Sequence, residues 1–162
     1  MLLILFGLPG AGKNYAGRII AEMVDGHFHD ADDDLTSEMR GYIERGEAIT
    51  DPVRDRYYAV VQDRIGELCA QHDRLIVAQA LNKRRHRNLI AMAHPHARFV
   101  LVEAPRALRV ERLVRRCDGG VRVTASYADV IEAQFEYPLT PVPVLQNDAD
   151  DAHIRQQAAL LV

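Results

Sequence analysis

The sequence predicts an α/β protein: a five-stranded parallel sheet with helices packed on both faces. Short apolar runs alternate with amphipathic stretches from end to end, the arrangement of an α/β layer fold. The runs are nearly continuous in apolar residues, as in strands buried on both faces of a parallel sheet. No linker-like composition or internal repeat divides the 162 residues, so one domain over 1–162 is expected.

Leu2–Phe6 reads as a buried strand, and Lys13–Val24 as a helix with an apolar face of Ile19, Ile20, Met23 and Val24. His27–His29 is a weak strand candidate that runs into Asp30, Asp32, Asp33 and Asp34. A helix is expected from Leu35 to a stop at Gly46, with Asp33 and Asp34 as its caps or as solvated residues. Asp51-Pro52 marks the next helix start, which continues through Tyr57, Tyr58, Val61, Ile65 and Leu68. Tyr57 and Tyr58 are read as core and wall residues. Leu75–Ala78 and Arg98–Val102 are strands, with helices at Arg84–Ala93 and Arg106–Arg116. After a Gly119-Gly120 break come a helix at Ala125–Tyr137, a strand at Val142–Leu145 and a closing helix at Asp150–Leu161.

Composition narrows the function classes. The chain carries 20 Lys+Arg against 23 Asp+Glu, a formal net charge of -3, which gives no electrostatic reason to expect nucleic acid or an anionic membrane. No apolar run approaches the roughly 20 residues needed to span a membrane. The apolar start runs straight into a glycine loop, so it is read as a core strand rather than a signal peptide. Cys69 and Cys117 form no metal-type pair or disulfide framework, and Cys69 is expected to be a small buried residue. A cytoplasmic monomer or homodimer is the expectation.

The firmest motif is Gly7-Leu8-Pro9-Gly10-Ala11-Gly12-Lys13, which fits the phosphate-binding spacing G-x-x-x-x-G-K between a strand and a helix. Glycines let the backbone wrap with its N–H groups inward, and the helix start adds its positive end. Lys13 reaches the β- and γ-phosphates as a mobile point charge. Gly7, Gly10, Ala11, Gly12, Lys13, Asn14 and Tyr15 form the expected nucleotide-binding set, with ATP as the nucleotide. Asn14 stands where Ser or Thr is usual, and that hydroxyl is a direct magnesium ligand in such sites. An asparagine carbonyl is also a hard-ion ligand, so Asn14 ligates Mg²⁺, shifts it, or leaves water in its place. Weakened metal affinity is expected.

Asp30 and Asp32, two apart on an extended segment, can point to one side. That side is the carboxyl end of the strands, where open parallel sheets bind ligands. One carboxylate suits Mg²⁺ and the other suits proton removal from an attacking hydroxyl. Asp30 is assigned to the metal and Asp32 to the base.

With these residues in hand, the chain resembles the gluconate kinase branch of the small P-loop kinases, a group close to the shikimate kinases. The resemblance spans nearly the whole sequence. His29-Asp30-Ala31-Asp32 is similar to the family's Asp-x-Asp segment. Gly46-Glu47-Ala48-Ile49-Thr50-Asp51 followed by Arg54 resembles Gly-x-Pro-Leu-x-Asp-x-x-Arg, which implies that Arg54 holds an anionic group of the acceptor. Ala78-Gln79-Ala80-Leu81-Asn82-Lys83 resembles Cys-Ser-Ala-Leu-Lys-Lys, with an arginine nearby at Arg85 or Arg87, and Gln134-Phe135-Glu136 matches Gln-Phe-Glu. The family fold implies a P-loop NTPase with strand order 2-3-1-4-5. It also implies an acceptor-binding helical region at about 34–72 and a short lid at about 117–124. Asn14, Ala48, Gln79 and Asp118-Gly119-Gly120-Val121 depart from the family pattern, mostly around the acceptor and the lid.

Arg109, Arg112 and Arg116 share one stripe of a helix by their three- and four-residue spacing. Arg109 and Arg115 are read as a solvated basic face, and Arg112 and Arg116 as contacts to the nucleotide. Arg122 is the lid arginine expected to stabilise charge on the transferring phosphoryl. Arg54, Gln79, Lys83, Arg85, Arg87 and Gln134, with Asp32, form the acceptor side, since a guanidinium grips a carboxylate or phosphate with two parallel hydrogen bonds. The expected activity is phosphoryl transfer from ATP·Mg²⁺ to a hydroxyl of a small polar, anionic metabolite such as a sugar acid. The alternatives are a nucleotide, nucleoside or antibiotic kinase, and a nucleotide-binding regulatory protein without catalysis.

Overall fold

A computed structural model describes residues 1–162 except Gly46 and 116–124, and for 125–128 it describes the helical backbone alone. Five strands form one parallel sheet in the order β2-β3-β1-β4-β5. They are β1 (Leu2–Phe6), β2 (His27–Asp30), β3 (Leu75–Ala78), β4 (Ala97–Glu103) and β5 (Val144–Gln146). The helices are α1 (Lys13–Met23), α2 (Ser37–Glu44), α3 (Asp51–Gln71), α4 (Arg84–Ala93), α5 (Arg106–Arg115), α6 (Ala125–Ala133) and α7 (Asp151–Ala158). The strand order is the one expected.

The central strand explains the layering. All five residues of β1 are buried, and alternate residues point to opposite faces. Leu2, Ile4 and Phe6 join the core with Val53, Tyr57, Val61 and Ile65 of α3 and Ile90 of α4. Leu3 and Leu5 join the opposite core with Ala16, Ile19 and Ile20 of α1 and Ile154 and Ala158 of α7. Both faces are thereby covered, as an all-parallel sheet requires. No helix among the described residues is long and apolar enough to cross a membrane.

Several boundaries differ from the sequence expectation. The segment after β2 first makes a 3₁₀ turn, Ala31–Asp34, capped by the Asp30 carboxylate, which accepts from Asp32 N at 3.1 Å. The cap of α2 is Thr36, whose Oγ1 accepts from Met39 N at 3.2 Å. Asp34 turns instead to His29 at 2.6 Å and Arg64 at 3.6 Å. Helix α6 ends at Ala133, where Phe135 leaves the helical path to enter the core and stack on Phe6. The Gly46 stop lies outside the described residues. Cys69 is exposed, not buried. The buried face of α3 runs through Val61, Ile65 and Leu68, and the next residue sits about 100° around the helix from it.

Candidate active site

The carboxyl ends of the strands supply a cavity of about 630 Å³, within the usual range for a small-molecule site. Lys13, Asn14, Asp30, Asp32, Arg54, Gln79 and Arg112 all line it. The glycine loop follows β1, Asp30 ends β2, and Gln79 follows β3. The sheet register therefore brings together residues far apart in the chain.

The loop is locked by its own backbone. Gly7 has φ 148°, and a Cβ there would collide with the carbonyl of Val102 in β4. Gly12 has φ 82° and packs so closely on the Asn147 side chain that a Cβ has no room. Lys13 folds back over the loop, its Nζ donating to the carbonyls of Gly7 at 3.0 Å and Leu8 at 3.1 Å.

A residue that no sequence motif marks holds the loop from behind. Asn147 follows β5 and is fully buried. Its Nδ2 donates to Ala11 O at 2.9 Å and Gly12 O at 3.2 Å. Arg112 of α5 completes the strap, donating to Asn147 O at 3.0 Å, to Asn147 Oδ1 at 3.3 Å and to the carbonyls of Gly10 and Ala11 at 3.4 Å. Burial lowers the Arg112 pKa from its usual value. The only clue in the sequence is position: Asn147 lies just past the fifth strand, where loops of such sheets meet ligands.

The acidic side is equally ordered. Asn14 Nδ2 donates to Asp30 Oδ2. Burial, and then the neighbouring Asp32, raise the Asp30 pKa, while the hydrogen bonds from Asp32 N and Asn14 oppose the rise. Gln79 Nε2 donates to Asp32 Oδ1 at 3.4 Å and also to the Tyr57 hydroxyl. Tyr57 in turn donates to Ala31 O at 2.7 Å. Gln79 thus ties the 3₁₀ turn to the end of β3, directly through Asp32 and through the buried Tyr57 phenol on Ala31.

The donor set suits Mg²⁺. This ion takes one or two carboxylates together with substrate phosphates and water, and the Asn14 and Asp30 side chains stand side by side next to the phosphate loop. No group of three or more His, Cys, Asp or Glu able to cage a metal occurs among the described residues.

The arginines separate into two kinds. Arg54 is 8% exposed, lines the cavity, and makes no side-chain hydrogen bond or ion pair among the described residues. Arg87 is turned away from the cavity. Its guanidinium donates to Leu81 O at 2.5 Å and to Glu136 O, and lies 5.0 Å from the Phe6 ring centroid. Arg85 bridges Asp51 at 3.1 Å and Asp55 at 2.8 Å on the surface, and Lys83 pairs with Glu136 at 3.4 Å. Gln134 is exposed, and none of these four lines the cavity. Tyr15 lines it, with its hydroxyl donating to Asp151. Arg109 is not a solvated residue: it is 6% exposed, donates to Ala104 O at 3.2 Å and pairs with Glu132 at 3.0 Å. Arg116, Arg122 and the expected lid at 117–124 lie outside the described residues.

Residues 2–138 match the family model described as an AAA domain, and the chain belongs to that family. Over about half of its length it is similar to proteins described as probable gluconokinases. Over 82 residues it is 33% identical to the "Probable gluconokinase" of Mus musculus, a match covering 51% of this chain and 39% of that protein. The matches span little more than a third of the length of the curated relatives. A gluconokinase from Sinorhizobium meliloti superposes with a TM-score of 0.80 at 22% identity, covering 97% of this chain and 88% of its own. A sugar kinase from Janibacter sp. superposes with a TM-score of 0.82 at 19% identity, covering 98% and 91%. At these identities the likeness to the two structures establishes the shared fold.

Proposed function

We propose that the chain transfers the γ-phosphoryl group of ATP to a hydroxyl of a small hydroxylated acid, a sugar acid of the gluconate type. The observation that carries this reading is Arg54, a buried guanidinium with no carboxylate partner among the described residues, facing the cavity of the phosphate loop and Asp32. A buried charge is costly unless paired, and an anionic acceptor supplies the pair. The gluconokinase and sugar kinase likenesses agree with a sugar acid.

The loop amides and Lys13 bind the β- and γ-phosphates, and Arg112 and Tyr15 border the nucleotide. Asn14 and Asp30 are the residues that would hold Mg²⁺. When bound, the ion neutralises charge on the phosphates. Arg54 anchors the acceptor's anion and so orients its hydroxyl toward Asp32. The hydroxyl oxygen forms a bond to the γ-phosphorus as the bond to the β–γ bridging oxygen breaks. ADP leaves with that electron pair, and the hydroxyl proton passes to the Asp32 carboxylate. Gln79 fixes the orientation of Asp32.

A second reading has its own observation. Leu35, Met39, Ile43 and Ile49 line one wall of the cavity, and an apolar wall suits the base of a nucleoside or nucleotide acceptor. ATP-to-ADP turnover across sugar acids, nucleosides, nucleoside monophosphates and aminoglycosides decides between the two. Acceptor-dependent turnover with a sugar acid is expected, and Asp32→Asn is expected to cut it by about 10²–10⁴-fold while ATP still binds. Absence of acceptor-dependent turnover across the panel overturns the kinase reading. Undiminished turnover by Asp32→Asn removes Asp32 from it.

A further inference from the structure

The loop between β3 and α4 is tied at almost every polar atom. Ala80 O accepts from Gly7 N at 3.4 Å, and Ala80 N donates to the Gln79 side chain. Leu81 is fully buried and holds a left-handed backbone conformation at φ 45°. Its carbonyl receives the Arg87 guanidinium at 2.5 Å, and the carbonyl of Asn82 receives Glu136 N at 2.8 Å. A non-glycine residue in that conformation is strained, and such residues cluster at ligand-binding sites.

The exception is the Asn82 side chain. Asn82 is 8% exposed and lines the cavity, yet its carboxamide oxygen is buried and meets no donor among the described residues. Leaving such an oxygen unmet costs stability. Arg54 and Tyr58 line the same cavity as Asn82.

We propose that Asn82 is a specificity-determining residue whose carboxamide accepts a hydrogen bond from a second, non-reacting hydroxyl of the acceptor, beside the anion held by Arg54. This rests on the sugar-acid reading above and sharpens it. The acceptor then presents three groups: an anion for Arg54, a reacting hydroxyl for Asp32, and a further hydroxyl for Asn82. A simple monohydroxy acid lacks the third group and is a poor substrate. A site built to bond a hydroxyl discriminates strongly against the analogue without it, because its own polar group is then left unpaired.

The test uses steady-state ATP-to-ADP turnover with D-gluconate and its monodeoxy derivatives as probes, on the unmodified chain, Asn82→Ala and Asn82→Leu, alongside thermal unfolding of each. For the unmodified chain, removal of one particular non-reacting hydroxyl is expected to lower kcat/KM about tenfold or more, chiefly through KM. Asn82→Ala is expected to lower kcat/KM for gluconate by a similar factor and to show no further loss with that one deoxy acid. Asn82→Leu, which replaces an unmet polar group with an apolar one, is expected to keep or raise the unfolding temperature while losing the same discrimination. A merely structural Asn82 predicts lower unfolding temperatures and an unchanged response to every deoxy acid. That result overturns the proposal and leaves the sugar-acid reading standing. Failure of the unmodified chain to phosphorylate gluconate overturns both, and failure of both variants to fold overturns the role of Asn82 alone.

Discussion

Asn147 offers the sharpest quantitative test of how the phosphate loop is held. Replacing it with alanine removes the two bonds from Nδ2 to Ala11 O and Gly12 O and the one that Oδ1 accepts from Arg112. At about 1 kcal/mol for each bond, the loss is about 3 kcal/mol. The fully buried Ala11 then holds a carbonyl with only the long Arg112 contact at 3.4 Å, which adds to the cost. For a chain of this length each kcal/mol lowers Tm by roughly 2–4 °C, so a fall of about 6–12 °C is expected. ATP affinity, titrated well below the variant's Tm, is expected to drop about tenfold as the loop loses its backing. Asn147→Asp separates geometry from volume: it keeps the Arg112 contact but cannot donate to the loop carbonyls, and it sets a charge behind the phosphate site. It is expected to bind ATP more weakly than the alanine variant. A Tm shift below 2 °C together with unchanged ATP affinity refutes the strap.

Two further outcomes follow from the cavity. Arg54→Leu is expected to lower acceptor kcat/KM about 100-fold, the loss of two charge-assisted hydrogen bonds, with the KM for ATP and the unfolding temperature held; parallel loss of ATP affinity in the kinetics contradicts the assignment. Asp30→Asn is expected to stabilise the nucleotide-free protein at neutral pH. The folded pKa is raised above the ordinary 3.8, so the folded chain binds the proton more tightly than the unfolded one, and its stability on this account falls as pH rises through the folded value. The advantage of the variant over the unmodified chain should therefore shrink as pH is lowered toward 3.8, and a stability difference that ignores pH in urea titrations rules the mechanism out.

The legible parts of this chain share one property: their signal is local. An apolar run, a fixed glycine spacing and a helix start announce β1, the loop and α1 without help from the rest of the fold. Asp30 and Asp32 are nearly as plain, because a weak strand ending in acids leaves few other readings. Arginine is different. Arg54 and Arg87 look alike in sequence, yet one faces the cavity while the other is spent on the Leu81 and Glu136 carbonyls. The difference arises from helices α3 and α4 packing on the same sheet face, which no local pattern encodes. Arg109 misleads for the same reason, since its partner Glu132 lies 23 positions away. Asn147 sits in a polar stretch that resembles any surface loop until β5 pairs with β4 and carries it beneath the glycines.

That strap has a consequence for the order in which the molecule is made. The backing of the glycine loop follows it by about 135 residues, and the matched family segment ends at residue 138, before that backing. During synthesis β1 must wait for β3 and β4 to flank it, and the loop then waits again for β5. A ribosome-bound chain truncated just short of Asn147 would own every residue of the phosphate motif and still lack the restraint that shapes it. The shape of the glycine loop is thus completed only once the segment that carries Asn147 has been made.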